Sequence, residues 1–577
     1  MTMLSILISL ALIFPVLVQP APEIQLPDGK VQGVDKQAQA SQKPYIAFYG
    51  IPFAKPPVNE LRFKPPQPFV GTGPDVVISS DKFRPACLQS WPDPSKVINE
   101  DCLYLNVYTP PDLTKLRKVM FWIHGGGFKQ GDATQYVPSQ LVTDKDVIVV
   151  TTQYRLGIFG FLTSQNGDGN NGLRDQILAL NWTKNNIQSF GGDPNDITIF
   201  GESAGSASVS FLALSPLTKG LFTKAIMQSG TAFSGWAINR HPSLLLDIVS
   251  EKLGCTASLF YLFWFKQIRS IDKINCIKNK SVSELLNVIP ETQDIADSLN
   301  SDKLFIPVID GDVLPQSPES LLANVSYLRS NGILDRDYIM GCTNNEGLIL
   351  FASQMVTEAG IGNFTAASSA EKFIKAASNL LSPNNAIEAD KLQLIYYQYS
   401  YPRDEDEHAP LQDLLDIATD VLFAVPTVQL ARALTQASNS TNVYLYLYDH
   451  GPELLKPDGL FRGSTHGLDL SYEFDLSEIS NLQSFYALPP QPSEKNLTEL
   501  FLTVLSQFAK TGSPLGPPGQ EPQVWPRYNR KDEHFFRISL TPKNDQHLFA
   551  KRVALWTDIV LKSNSQTSKP WRGFRRH

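Results

Sequence analysis

A serine between two glycines, in Gly201-Glu202-Ser203-Ala204-Gly205, constrains this chain more than any other stretch. It follows Asp196-Ile197-Thr198-Ile199-Phe200, a β-branched and apolar run that reads as a strand. It precedes Ser206-Ala207-Ser208-Val209-Ser210-Phe211, which is compatible with a helix. Joining the two directly demands a sharp turn, and glycine on each flank removes a Cβ that would clash there. The serine then stands at the tip of the turn beside a helix N-terminus, where partial positive charge favours a developing oxyanion. G-x-S-x-G is the pattern of a nucleophile elbow. Alone, it is equally the pattern of a glycine-rich surface turn.

Further machinery favours the first reading. In Val119-Met120-Phe121-Trp122-Ile123-His124-Gly125-Gly126-Gly127-Phe128 a buried strand runs straight into three glycines. Loops of this type supply the other half of an oxyanion hole. The expected donors are the backbone N–H groups of Gly126, Gly127 and Ala204. His124 reads as a residue that shapes the loop.

An activated serine needs a base, and the base needs an orienting acid. In α/β hydrolases the chain order is serine, acid, histidine. Glu346, in Gly341-Cys342-Thr343-Asn344-Asn345-Glu346-Gly347, lies on a loop after the strand-like Asp337-Tyr338-Ile339-Met340. Of 8 histidines, His466 sits on a glycine-flanked loop and His450 directly ends the strand-like Val443-Tyr444-Leu445-Tyr446-Leu447-Tyr448. Both are candidate bases. His466 is favoured, because a capping or turn role explains His450.

The chain also resembles the type-B carboxylesterases, the family of carboxylesterases, cholinesterases and insect juvenile-hormone esterases. The resemblance is carried by Tyr49-Gly50-Ile51-Pro52-Phe53-Ala54, Glu100-Asp101-Cys102-Leu103-Tyr104-Leu105-Asn106, Asn171-Gly172-Leu173-Arg174-Asp175-Gln176, Phe190-Gly191-Gly192-Asp193-Pro194, the elbow itself, and Gln228-Ser229-Gly230. It implies an α/β-hydrolase fold, a mostly parallel sheet flanked by helices with large insertions. Ser203 would be the nucleophile, Glu346 the acid and His466 the base, with Gly126, Gly127 and Ala204 as the oxyanion hole. Ser229 would lie behind the triad. Arg62 with Glu100, and Arg155 with Asp175, would form buried ion pairs. Glu202 would either stabilise the imidazolium or hydrogen-bond a buried water or loop. The resemblance pairs Cys87 with Cys102 and Cys255 with Cys276, leaving Cys342 as a buried thiol among 5 cysteines.

Length alone allows several domains in 577 residues. The motifs are dispersed without repeats or low-complexity linkers, so one domain over 22–577 is expected, after a signal peptide over 1–21. Residues 4–18 are almost wholly apolar, the length of a signal-peptide core. No second apolar run reads as long enough to span a membrane, and no anchor or retention signal ends the chain, so secretion is expected. Sequons begin at Asn181, Asn279, Asn324, Asn363, Asn439 and Asn496. Residues 173–190 have helical spacing, and 546–561 reads as an amphipathic helix.

The net charge of −7 argues against a nucleic-acid partner. No HExxH or clustered His/Cys set appears, and the glycine-rich stretches lack P-loop and dinucleotide spacing, so neither metal nor cofactor is expected. The expected partner is a small-molecule ester. Nothing in the residue pattern specifies an oligomeric state. Within the resemblance, cholinesterases have a longer loop between the cysteines that match Cys87 and Cys102, with a tryptophan that Trp91 lies too close to Cys87 to match, which disfavours choline esters. Juvenile-hormone esterases usually carry glutamine where this chain has Glu202, which disfavours juvenile hormone. A generalist or apolar-ester hydrolase is the leading expectation, with Phe233 and Trp236 as candidate acyl-pocket residues. The alternatives are a juvenile-hormone, pheromone or odorant esterase, a lipase, and a non-catalytic binding or adhesion protein.

Overall fold

The apolar runs form the middle of one mixed sheet. The computed structural model describes residues 22–71, 73–89, 96–163, 169–240, 242–256, 270–289, 305–349, 389–400, 409–451, 463–476, 490–514 and 525–560. The expected leader, Trp91, Asn363 and the basic end of the chain lie outside these residues. The sheet contains β1 (Val34–Gln37), β2 (Pro44–Pro52), β3 (Tyr104–Thr109), β4 (Arg117–Ile123), β5 (Ile148–Thr152), β6 (Gly192–Glu202), β7 (Lys224–Gln228), β8 (Asp337–Thr343), β9 (Val443–Tyr448), β10 (His534–Ile538) and β11 (Lys543–Gln546). Their spatial order is β11-β10-β9-β8-β7-β6-β4-β5-β3-β2-β1. From β5 across to β10 all neighbours are parallel. At the edges the pairing is antiparallel.

Parallel central strands are buried on both faces, and β5 and β9 are buried at every residue. Val119, Phe121 and Ile123 of β4 join one core cluster, while Met120 and Trp122 join the other. That is the period of two expected of a strand. Helices α1 (Ser139–Lys145), α2 (Asn171–Asn186), α3 (Ala204–Leu214), α4 (Ala409–Thr419), α5 (Val425–Ala437), α6 (Lys495–Thr511) and α7 (Ala550–Ala554) complete the layers. Leu173, Phe211 and Val428 of α2, α3 and α5 pack on the first face. Leu141 of α1 and Phe501, Val504 and Phe508 of α6 pack on the second.

Two expectations need correction. The stretch 546–561 is not one helix: Gln546 pairs with His534 at the sheet edge, and α7 begins at Ala550. His547 (φ 57°) and Phe549 (φ 46°) adopt left-handed backbone between them, which breaks helical continuation. The second concerns membrane-length apolar runs. Gln412–Ala437 is one continuous helix, α4 and α5 joined by a π-helical turn (Asp420–Ala424), long and apolar enough by composition to cross a membrane. Its apolar window is 78% buried inside the protein, as a core helix is. Its scattered aspartates hide it from a scan for uninterrupted apolar runs.

Cys87 is bonded to Cys102 and Cys255 to Cys276, with Cα atoms 5.0 and 5.7 Å apart. Cys342, on β8, is a buried free thiol whose pKa is pushed up by burial. Arg62 grips Glu100 bidentately (2.6 and 2.5 Å) and donates to the Lys278 and Lys280 carbonyls. Asn279, Asn324, Asn439 and Asn496 are exposed. Asn181 is half-buried on α2, its amide donating to the Ile177 carbonyl at 2.9 Å.

Candidate active site

Leaving β4, the chain pairs β5 on one side and then returns to place β6 on the other. Where strand order reverses in this way, a crevice opens beyond the strand C-termini. Ser203 stands there, between the end of β6 and the first turn of α3. Its backbone (φ 56°, ψ −122°) is strained for a residue with a Cβ. The strain is held by a bond from Ser203 N–H to the Gln228 carbonyl (2.8 Å) and by close packing under the turn. A Cβ at Gly205 would sit 2.0 Å from the Ile123 carbonyl oxygen, so only glycine lets α3 start against β4.

The glycine loop follows β4 directly. A Cβ on Gly125 would lie 3.1 Å from Ser203 Cβ, which places this loop against the elbow. Gly126 (φ 104°) turns where a side chain would strike the Gln130 carbonyl. Ala204 opens α3, so its N–H belongs to the unsatisfied first turn. His124 is fully buried, its Nδ1 2.9 Å from the Gly125 carbonyl and its ring stacked on Tyr154 at 4.4 Å. Burial lowers its pKa to about 4, so it stays neutral.

Glu346 and His466 meet although 120 positions separate them. Glu346 begins a short 3-10 turn just after β8, with Oε2 2.6 Å from His466 Nδ1. Its other oxygen accepts from Ser229 Oγ (2.5 Å) and Thr343 N–H (2.6 Å). Asn344 straps the two loops: its N–H donates to the Tyr448 carbonyl, its Oδ1 accepts from Ser464 N–H at 2.6 Å, and its amide bonds Asp449. His466 Nε2 lies 3.0 Å from Glu202 Oε1 but is not aligned for a hydrogen bond, and among the described residues it bonds no partner, Ser203 included. In unliganded sites such bonds are often long and tighten with substrate. His450 is elsewhere, its Nε2 2.7 Å from Glu494 Oε1.

The electrostatics are set by crowded carboxyls. Burial raises the Glu202 pKa to about 8, with the His466 charge opposing and Asp469 and Glu346 adding to the rise. Burial alone would lower His466, but Glu202, Glu346 and Asp469 outweigh it and raise its pKa to about 9. Glu202 and His466 therefore titrate as a coupled pair. The direction that stands for the base is upward, because carboxyls surround it.

The residue pattern did not single out Asp469, Glu473 or Phe423. Phe423, on the π-helical turn, stands 4.7 Å from the His466 ring centre and 5.7 Å from Trp236. The Trp236 Nε1 donates to the Leu422 carbonyl at 2.9 Å. Half-buried Phe233 packs against the same core cluster. The only available hint for the acids was their position on the turn just after His466.

A model of the carboxylesterase family matches residues 20–556. The chain is similar to Carboxylesterase 1E of Mus musculus, 34% identical with 95% of each chain covered. Carboxylesterase 1E of Rattus norvegicus is 34% identical, covering 93% of this chain and 94% of its own. Liver carboxylesterase of Sus scrofa is 32% identical, with 94% of each chain covered.

Proposed function

Because the chain belongs to the carboxylesterase family, has its α/β-hydrolase fold and is a carboxylic ester hydrolase, we propose that it works through an acyl-enzyme on Ser203. His466 takes the Ser203 proton as Oγ attacks the ester carbonyl, and Glu346 holds the imidazole by Nδ1. The N–H groups of Gly126, Gly127 and Ala204 receive the oxyanion, each contributing about 3 kcal/mol by analogy with single-donor deletions. His466 returns the proton to the leaving alcohol, and water repeats the sequence to release the acid. The observation that carries this reading is the buried Glu346–His466 contact at 2.6 Å beside a strained, glycine-packed serine. Ser229 acts as a support for Glu346.

The test is hydrolysis of p-nitrophenyl esters from acetate to decanoate, followed by organophosphate labelling and peptide mapping. Turnover with the label on Ser203 is expected. Turnover with the label on another residue would overturn the assignment. The Trp236 and Phe423 rings favour an apolar acyl group, so the rate should rise beyond acetate. An extracellular, glycosylated protein is supported by the two disulfides and by exposed Asn279, Asn324, Asn439 and Asn496.

Of the two roles open to Glu202, the 3.0 Å approach to His466 Nε2 favours imidazolium stabilisation. A base works only when neutral, so kcat/KM should rise through the His466 pKa, which the carboxyls hold above 6.5. Removing one carboxylate lowers that pKa. Glu202→Gln should therefore move the acid limb of kcat/KM downward by about one pH unit. An unmoved limb would leave Glu202 with only a hydrogen-bonding role.

A further inference from the structure

Behind His466 lies a second layer of acid that the steps above do not use. Asp469 and Glu473 follow the base along a short 3-10 turn (Leu468–Tyr472), and they are 0% and 2% exposed. Gln228, the last residue of β7, bridges them: its Nε2 donates to Glu473 Oε1 at 2.7 Å and to Asp469 Oδ2 at 3.3 Å. Among the described residues, Gln228 Oε1, Asp469 Oδ1, Glu473 Oε2 and the Tyr446 hydroxyl are all buried without a hydrogen-bond partner.

The surroundings hold further carboxyls, and the hydroxyl and thiol groups among them stay protonated. Asp469 faces Glu346 and His466, and Glu473 faces Asp469 and Glu202. From β9, Tyr446 faces both acids and Tyr448 faces Asp469. From β8, the Cys342 thiol faces Asp469 and Glu346. The cationic partner of Asp469 is His466, which already lies between Glu202 and Glu346. With three buried carboxyls around the imidazole and a fourth, Glu473, beside Asp469 and Glu202, not all can be ionised, because like charges in a dry site hold protons. Two carboxyls joined through one amide, each with an unpartnered oxygen, suit a state in which one is protonated and the other charged.

We propose that Asp469 and Glu473 share one proton across the Gln228 amide, and that this pair is a positioning element that sets the pH at which His466 becomes available as a base. The inference rests on His466 being the base.

The two acids are then not equivalent. Asp469 faces His466 directly, whereas Glu473 stands behind it. With Glu473→Gln, Asp469 keeps the full negative charge beside His466, and the acid limb of kcat/KM moves upward. With Asp469→Asn, the charge retreats to Glu473 and the limb moves downward. Each shift should be about half to one pH unit, about three- to tenfold in kcat/KM below the limb. Opposite shifts support a shared proton. Downward shifts in both variants mean that both acids are ionised, and unmoved limbs mean that both are neutral; either result overturns the proposal. A purely structural role would lower stability or kcat without moving the limb. Should Glu473→Gln fail to fold, Glu473→Asp keeps a carboxyl and should hold the wild-type limb while Asp469→Asn moves; an unmoved Asp469→Asn again overturns the proposal. Wild-type enzyme with no acid limb at all would instead remove the histidine base, with Ser203 labelling still to show whether the nucleophile stands.

Discussion

Ser203→Ala is expected to leave the fold intact and to cut ester turnover by at least about 10⁴-fold. The substitution removes one oxygen and keeps the Cβ, so the backbone at φ 56° is strained no more than before. Ser203 is only 8% exposed, and its main-chain bond to the Gln228 carbonyl does not depend on the hydroxyl. The Tm should therefore stay within about 2 °C of the parent. The residual rate comes from the oxyanion donors acting on substrate attacked by water. Full p-nitrophenyl ester turnover by the folded variant would remove the nucleophile from Ser203.

The largest expected loss of stability comes from Asp175→Ala. The Asp175 side chain is fully buried and accepts from Arg155 Nε (2.8 Å), Arg155 Nη2 (2.7 Å) and the Arg155 N–H (3.0 Å). Arg155 also donates to the Lys64 carbonyl at 2.8 Å, so one guanidinium ties the segment after β5 both to α2 and to the loop that follows β2. Removing the carboxylate strands a buried cation and should cost about 3–5 kcal/mol, read as a lowered denaturation midpoint. Replacing both partners by apolar residues, as in Arg155→Met with Asp175→Leu, should recover much of that loss. If the double variant is as unstable as the single, the cost lies in lost packing and not in the stranded charge.

The elements of the candidate site were legible where chemistry is written locally. Ser203 and the glycine loop are short motifs whose turn geometry follows from residue type. The strands beside them read as apolar runs because parallel strands are buried on both faces. His466 was harder: its loop and the His450 strand end are both plausible from residues alone, and the resemblance favoured His466. The contact with Glu346 exists only because β8 and β9 are neighbours. Phe423 was invisible for a different reason. A π-helical turn shifts the phase of a helix by one residue, so the face it presents is not the one a period of 3.6 assigns. Asp469 and Glu473 could not be singled out from the sequence, because nothing local announces that Gln228 lies opposite. The misread stretch 546–561 shows the converse. Its apolar spacing is real from Ala550 onward, but the edge pairing of Gln546 overrides it before that point.

The Asn344 strap bears on how this enzyme loses activity. Because Asn344 fastens the Glu346 loop directly to the His466 loop, whereas Ser203 reaches them only through Gln228 and Ser229 at the end of β7, Glu346 and His466 are held to each other more directly than either is to Ser203. Warming or mild denaturant should therefore separate the serine from an intact acid–base pair before it separates acid from base. The first inactive form on that path keeps a correctly oriented imidazole and has merely moved it out of reach, so inactivation at this stage should reverse on cooling.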